Sequence, residues 1–176
     1  MKTINVWFDE YGESHQNEIN KLIHWICIPL IFWSIIALLS LIPHKYLDVW
    51  DNTILNELMH WGTIVTILGL LFYIRLSIKI FAGMLVFSSL VILNIYYTKH
   101  LFESANFTKS LFFSSLHVND FLLYLSLIVF IFAWLLQFIG HKIEGKKPSF
   151  FKDVQFLLIG PAWLLGFIYK KLKINF

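Results

Sequence analysis

The chain has 176 residues, 58% of them hydrophobic and 18% aromatic, with a formal net charge of +3. A mean hydropathy of +0.70 excludes an ordinary soluble domain and sets the core against lipid. The length suits a single domain, 1–176. The lysines sit in short clusters beside apolar runs, where they suit anionic headgroups, so nucleic acid is not an expected partner.

Residues 1–22 read as a polar, partly helical segment outside the membrane, with Trp7, Phe8 and Tyr11 suited to the interface. The segment carries Asp9, Glu10, Glu13 and Glu18 rather than a basic n-region, so the first apolar run is expected to serve as an uncleaved anchor. That run is Ile23–Ile42, closed by Pro43, and Pro29 is expected to bend or reset its helix. Cys27, the only cysteine, lies inside it as a small core residue and leaves no disulfide or thiolate cluster.

A polar linker, His44–Glu57, follows. Leu58–Tyr97 is too long for one helix and carries Arg75 and Lys79 near its middle, which predicts a hairpin, Leu58–Ile74 and Ile78–Tyr97, with the charges at the turn. Each arm is near the minimum for crossing about 30 Å of hydrocarbon. Thr98–Asp120 is a polar loop with room for a short surface helix. Phe121–Ile139 is the next span, followed by the basic loop GHKIEGKKPSFFKD. Val154–Tyr169 is apolar but interrupted by Gly160-Pro161.

The fold expected is all-α: a polytopic membrane helical bundle of about four transmembrane helices plus an interfacial or re-entrant C-terminal helix. Five crossings would place eight Lys and Arg on the N-terminal side and six on the other; four crossings place eleven against three. The positive-inside rule therefore favours four, with both termini cytoplasmic. A bacterial inner membrane and an endoplasmic reticulum both satisfy this.

That topology brings His15, His24 and His141 to one membrane face. Polar groups at the edge of a span are costly to desolvate, and neutral imidazoles bind iron or zinc while leaving positions open for substrate. Glu144, three residues past His141, shares its helical face and is a carboxylate ligand or an acceptor for an imidazole N–H. Tyr11 pairs with His15, and Asn20 with His24, by four-residue spacing. His15 and His24 are nine apart, and at about 100° per residue they face opposite ways on one continuous helix. A shared metal thus requires the chain to turn between them, near Gln16–Asn17. The competing reading makes each histidine a headgroup-facing interfacial residue and Asn20 a helix cap; His44, His60 and His117 fit that reading best.

The spacings Tyr11-x3-His15-x4-Asn20-x3-His24-x4-Pro29, then Gln137-Phe138-x-Gly140-His141-x2-Glu144-x3-Pro148 and Gly160-Pro161, cover nearly the whole chain. They resemble the membrane family of 2-hydroxy fatty acid dioxygenases of phytosphingosine breakdown, long catalogued as a domain of unknown function. The resemblance implies an Fe2+-dependent α-oxidation, in which a 2-hydroxy long-chain fatty acid and O2 give CO2 and the acid one carbon shorter. It assigns the iron to His15, His24 and His141. His100 also falls on a family position, although the topology puts it on the opposite face. Tyr11, Asn20 and Glu144 are the catalytic candidates. Where family members carry an acidic residue after Gly/Ala-Pro, Trp163-Leu164-Leu165-Gly166 stands here, which bears on substrate range.

Membrane lipid is the expected surrounding, a homodimer is compatible with the reading, and Lys142 or Lys146 would steer the carboxylate. No glycine-rich dinucleotide fingerprint calls for an organic cofactor. The rival readings are a haem- or metal-binding membrane protein and a non-enzymatic lipid-binding protein. A desaturase-type hydroxylase would need HxxHH boxes, which the sequence lacks.

Overall fold

The computed structural model describes residues 2–104, 117–145 and 150–176, the last stretch with side chains from 157 onward. Among the described residues the chain is all-α: α1 (Ile4–Gly12), α2 (Glu18–Ser40), a 3-10 turn at Lys45–Leu47, α3 (Thr53–Leu58), α4 (Trp61–Leu76), α5 (Ile78–Ser104), α6 (Val118–Glu144) and α7 (Phe150–Lys171). It is a helical membrane bundle. Helices α2, α5 and α6 are long and apolar enough to cross a membrane, whereas α4, the expected fourth span, has 16 residues.

Helix α2 is the central element, packing most extensively on α6 and also on α4, α5 and α7. It starts on the Asn17 side chain, which accepts from the backbone N–H groups of Ile19 and Asn20. Such a cap satisfies donors that a helix start leaves open. Pro29 does not reset α2, which stays helical through it. Likewise Gly160-Pro161 lies inside a continuous α7. Packing against neighbours tolerates one missing N–H, and the Tyr73 hydroxyl donates to the Leu158 carbonyl beside the one that Pro161 deprives.

The α4–α5 hairpin turns at Ser77 as the charges indicated, with Arg75 and Lys79 both exposed near the turn. Helix α4 begins three residues later than expected, because Thr53–Leu58 forms its own short helix and His60 caps the next by accepting from Thr63 N–H at 3.2 Å. The expected loop from Thr98 is helical to Ser104, and its remainder, 105–116, lies outside the described residues. Trp33 Nε1 donates to Asn94 Oδ1 at 2.8 Å, tying α2 to α5 within the apolar layer. Helix α7 packs against α1, α5 and α2, with Ile159, Ala162, Trp163 and Leu164 buried.

Candidate metal centre

The turn demanded by the nine-residue spacing is present. Helix α1 ends at Gly12 and α2 begins at Glu18, so the segment between them reverses His15 toward the face of α2 that carries His24. His141 arrives from the last turn of α6. All three imidazoles are buried, and one nitrogen from each lies within 4.8 Å of the others. Ring centroids are 4.2 Å apart for His15–His24, 5.0 Å for His24–His141 and 5.5 Å for His15–His141.

The backbone sets the tautomers. His15 Nδ1 donates to the Tyr11 carbonyl at 2.5 Å, and His24 Nδ1 donates to the Asn20 carbonyl at 2.9 Å. A carbonyl only accepts, so both Nδ1 atoms carry the proton and each Nε2 presents its lone pair, as metal-binding histidines are commonly held. Nitrogens about 2.1 Å from a common ion lie about 3.0–3.4 Å apart at octahedral or tetrahedral angles, so the rings would close by up to about 1–2 Å to share one. The donor set fits a transition metal with further positions open.

The Glu144 carboxylate, expected as a metal ligand or as an acceptor for an imidazole N–H, faces the α1–α2 turn. Its Oε1 accepts from Gln16 N–H at 2.8 Å, and its Oε2 from Asn17 N–H at 2.9 Å and Asn20 Nδ2 at 3.0 Å. The carboxylate is engaged by the α1–α2 turn and clamps it to the end of α6. Asn20, fully buried, also donates to the Ser14 carbonyl at 3.1 Å. Its Oδ1 rests on Gly140, where an added Cβ would come within 2.4 Å. Gly140 is thus the close approach that seats His141 beside α2.

Tyr11 stacks on His15 with centroids 4.2 Å apart and planes 10° from parallel. Trp163 packs against both rings, at 5.0 Å from Tyr11 and 5.4 Å from His15. Trp163, two residues past Gly160-Pro161, therefore walls the centre.

His100 is not part of this group. It pairs with Glu57 at 3.0 Å at the far end of α5. Glu57 lines a polar cavity of about 390 Å³ with Ser40, His44, His60, Tyr96 and Lys99. Ser40 is sixteen residues beyond His24, about 24 Å along α2. The opposite-face topology excludes His100 from the centre, because helices of this length carry their two ends to opposite sides of the bundle. In that far cavity, burial, with Lys99 and His44 nearby, holds His60 down to about 4.

A narrow cavity of about 40 Å³ adjoins the three histidines, with Ile28, Ile31, Phe32, Trp134 and Gln137 among its walls. Trp134 Nε1 is buried there without a hydrogen-bond acceptor. Trp134 and Gln137 were absent from the sequence-derived candidates, yet their spacing of seven and four from His141 marks one helix face. On the polar side, His15 also borders a vestibule of about 280 Å³ that Asp9, Glu13, Lys21 and Lys170 line. Lys142 is exposed and lines neither space; Lys146 lies outside the described residues.

Fold and site together define a helical membrane protein with a three-histidine candidate metal centre at one end of its bundle. The family model described as 2-hydroxy-palmitic acid dioxygenase Mpo1-like matches residues 1–172. The chain belongs to that family. No curated protein and no solved structure matches the chain significantly.

Proposed function

We propose that the protein is an Fe(II)-dependent membrane dioxygenase that shortens 2-hydroxy fatty acids by one carbon. The observation that carries this is the convergence of three buried imidazoles, from three separate stretches of chain, beside a small apolar cavity. The reaction balances without an outside reductant: R–CH(OH)–COOH and O2 give R–COOH, CO2 and H2O. The bond between the α-carbon and the carboxyl carbon breaks, and the four electrons lost by those carbons reduce O2. When bound, iron would supply the redox centre and a template for a chelating hydroxy acid and O2.

The chain's own residues do the rest. His15, His24 and His141 would hold the ion, with the Tyr11 and Asn20 carbonyls keeping two of the rings in the binding tautomer. Glu144 keeps the turn in place, and Asn20 braces Gly140. Trp163 and Tyr11 screen His15 from water. On the aqueous side the centre borders a vestibule lined by Asp9, Glu13, Lys21 and Lys170, a polar approach for the head group. Both termini on the cytoplasmic side, from the lysine and arginine bias, would make that approach cytoplasmic.

The haem reading loses support because a macrocycle has no room in a cavity of about 40 Å³. The test is an assay of detergent-purified protein loaded anaerobically with Fe(II), given a 2-hydroxy long-chain acid and then air. The expected products are the acid one carbon shorter and CO2, identified by mass spectrometry. Protein that holds iron at the three histidines and leaves every 2-hydroxy acid intact would refute the reading.

A further inference from the structure

The cavity at the histidines, about 40 Å³, admits a head group and nothing as long as an acyl chain. A tail must therefore leave it. Larger spaces adjoin the bundle among the described residues. The far-end cavity and the vestibule are lined by charged side chains. Another, about 290 Å³, lies between α2, α5 and α7, and among the described residues its walls carry no charged side chain; Pro29, Phe87, Leu90 and Leu165 line it.

This apolar groove adjoins the metal cavity directly. Pro161 lines both spaces. Phe32 of the metal cavity meets Phe87 of the groove with ring centroids 5.2 Å apart. The Pro161 ring and this aromatic pair stand at their border. His15 also borders the vestibule, which Asp9, Glu13, Lys21 and Lys170 line, so the surroundings of the centre run from charged to apolar. An amphiphile with a polar head and a long hydrocarbon tail matches that order, since burying methylenes out of water is favourable and a charged head is costly to desolvate unpaired.

We propose that this groove holds the acyl tail of the 2-hydroxy acid, threaded past Pro161 and the Phe32–Phe87 pair. The proposal rests on the dioxygenase reading and names where that substrate's tail lies. Gly83 on α5 supports the groove: an added Cβ would meet Leu165 and Tyr169 side chains at 2.4 Å, so glycine lets α7 approach α5 closely there. Val86 and Leu90, each 61% exposed, stand on the same wall and leave space for larger side chains without disturbing the core.

The test has two arms. In nanodiscs, wild-type protein is irradiated with a 2-hydroxy hexadecanoic acid bearing a terminal diazirine, and labelled residues are mapped by mass spectrometry. Labels should fall on groove residues such as Val86, Leu90 and Leu165, and excess unlabelled 2-hydroxy acid should suppress them while excess phosphatidylcholine does not. Labels on the outer face of α6, at Ile128 or Phe132, or equal suppression by phosphatidylcholine, would overturn the proposal.

In the second arm, Val86→Trp and Leu90→Trp should lower kcat/KM for the sixteen-carbon acid at least tenfold and for an eight-carbon acid less than twofold, with Ile128→Trp unchanged. Equal losses at both lengths, or none, would also overturn it. If iron-loaded wild type shortens no acid, the dioxygenase reading fails alone, and the labelling arm still decides the groove.

Discussion

Asn20 Nδ2 donates to Glu144 Oε2 across 3.0 Å, joining the first turn of α2 to the last turn of α6. Through that bond, and through the Gln16 and Asn17 N–H groups on the same carboxylate, the segment bearing His15 is fixed relative to His24 and His141. Replacing Glu144 by Ala leaves those donors without their partner. Metal affinity should fall about 10- to 100-fold, the usual effect of losing a partner outside the ligand set. Competition with a chromophoric chelator measures it, and Glu144→Gln, which keeps an acceptor oxygen, should lose less. Unchanged affinity in Glu144→Ala would show that the clamp does not position the ligands.

The separation of His100 from the other three makes a direct contrast. His15→Ala, His24→Ala and His141→Ala should each abolish stoichiometric metal in the purified protein. His100→Ala, which removes a half-exposed pair with Glu57, should retain it. Metal content by mass spectrometry decides, and loss of metal in His100→Ala would return that residue to the centre.

At Gly140 the prediction concerns packing. A methyl group would sit 2.4 Å from Asn20 Oδ1, closer than the atoms tolerate. Gly140→Ala should cost about 1–3 kcal/mol in stability. Cys27, fully buried and the only thiol, supplies the readout: its labelling by a maleimide should require unfolding, and should begin at lower denaturant in the variant.

His60 gives the pH dependence. Its folded value of about 4 lies below the ordinary 6.5. Between those values the unfolded chain takes up the proton first, so the contribution is complete above about pH 6.5 and is lost as pH falls toward 4. Thermal melts at pH 7.5 and 5.0 should show an acid loss of about 1–3 kcal/mol that shrinks in His60→Asn. An identical loss in the variant would assign the acid sensitivity elsewhere.

Much of this molecule was legible from local pattern. Apolar runs located the long helices, Arg75 and Lys79 marked the hairpin, and the nine-residue gap between His15 and His24 required the turn that Gly12 and Glu18 bracket. These are properties of helix period and of the cost of placing charge in hydrocarbon, which short stretches of sequence express by themselves. Pro161 misled for the same reason: local rules count the missing N–H and do not see the packing that compensates.

Tertiary structure alone decided the partners. Glu144 carries the same carboxylate whether it binds a metal or a turn, and only the fold of the 13–17 segment directs it to backbone N–H groups. Trp163 and Trp134 reach the centre because α7 and α6 pack around α2, a relation between residues far apart in the chain. Histidine chemistry can be read one residue at a time, whereas the distance between imidazoles depends on how whole helices settle against one another.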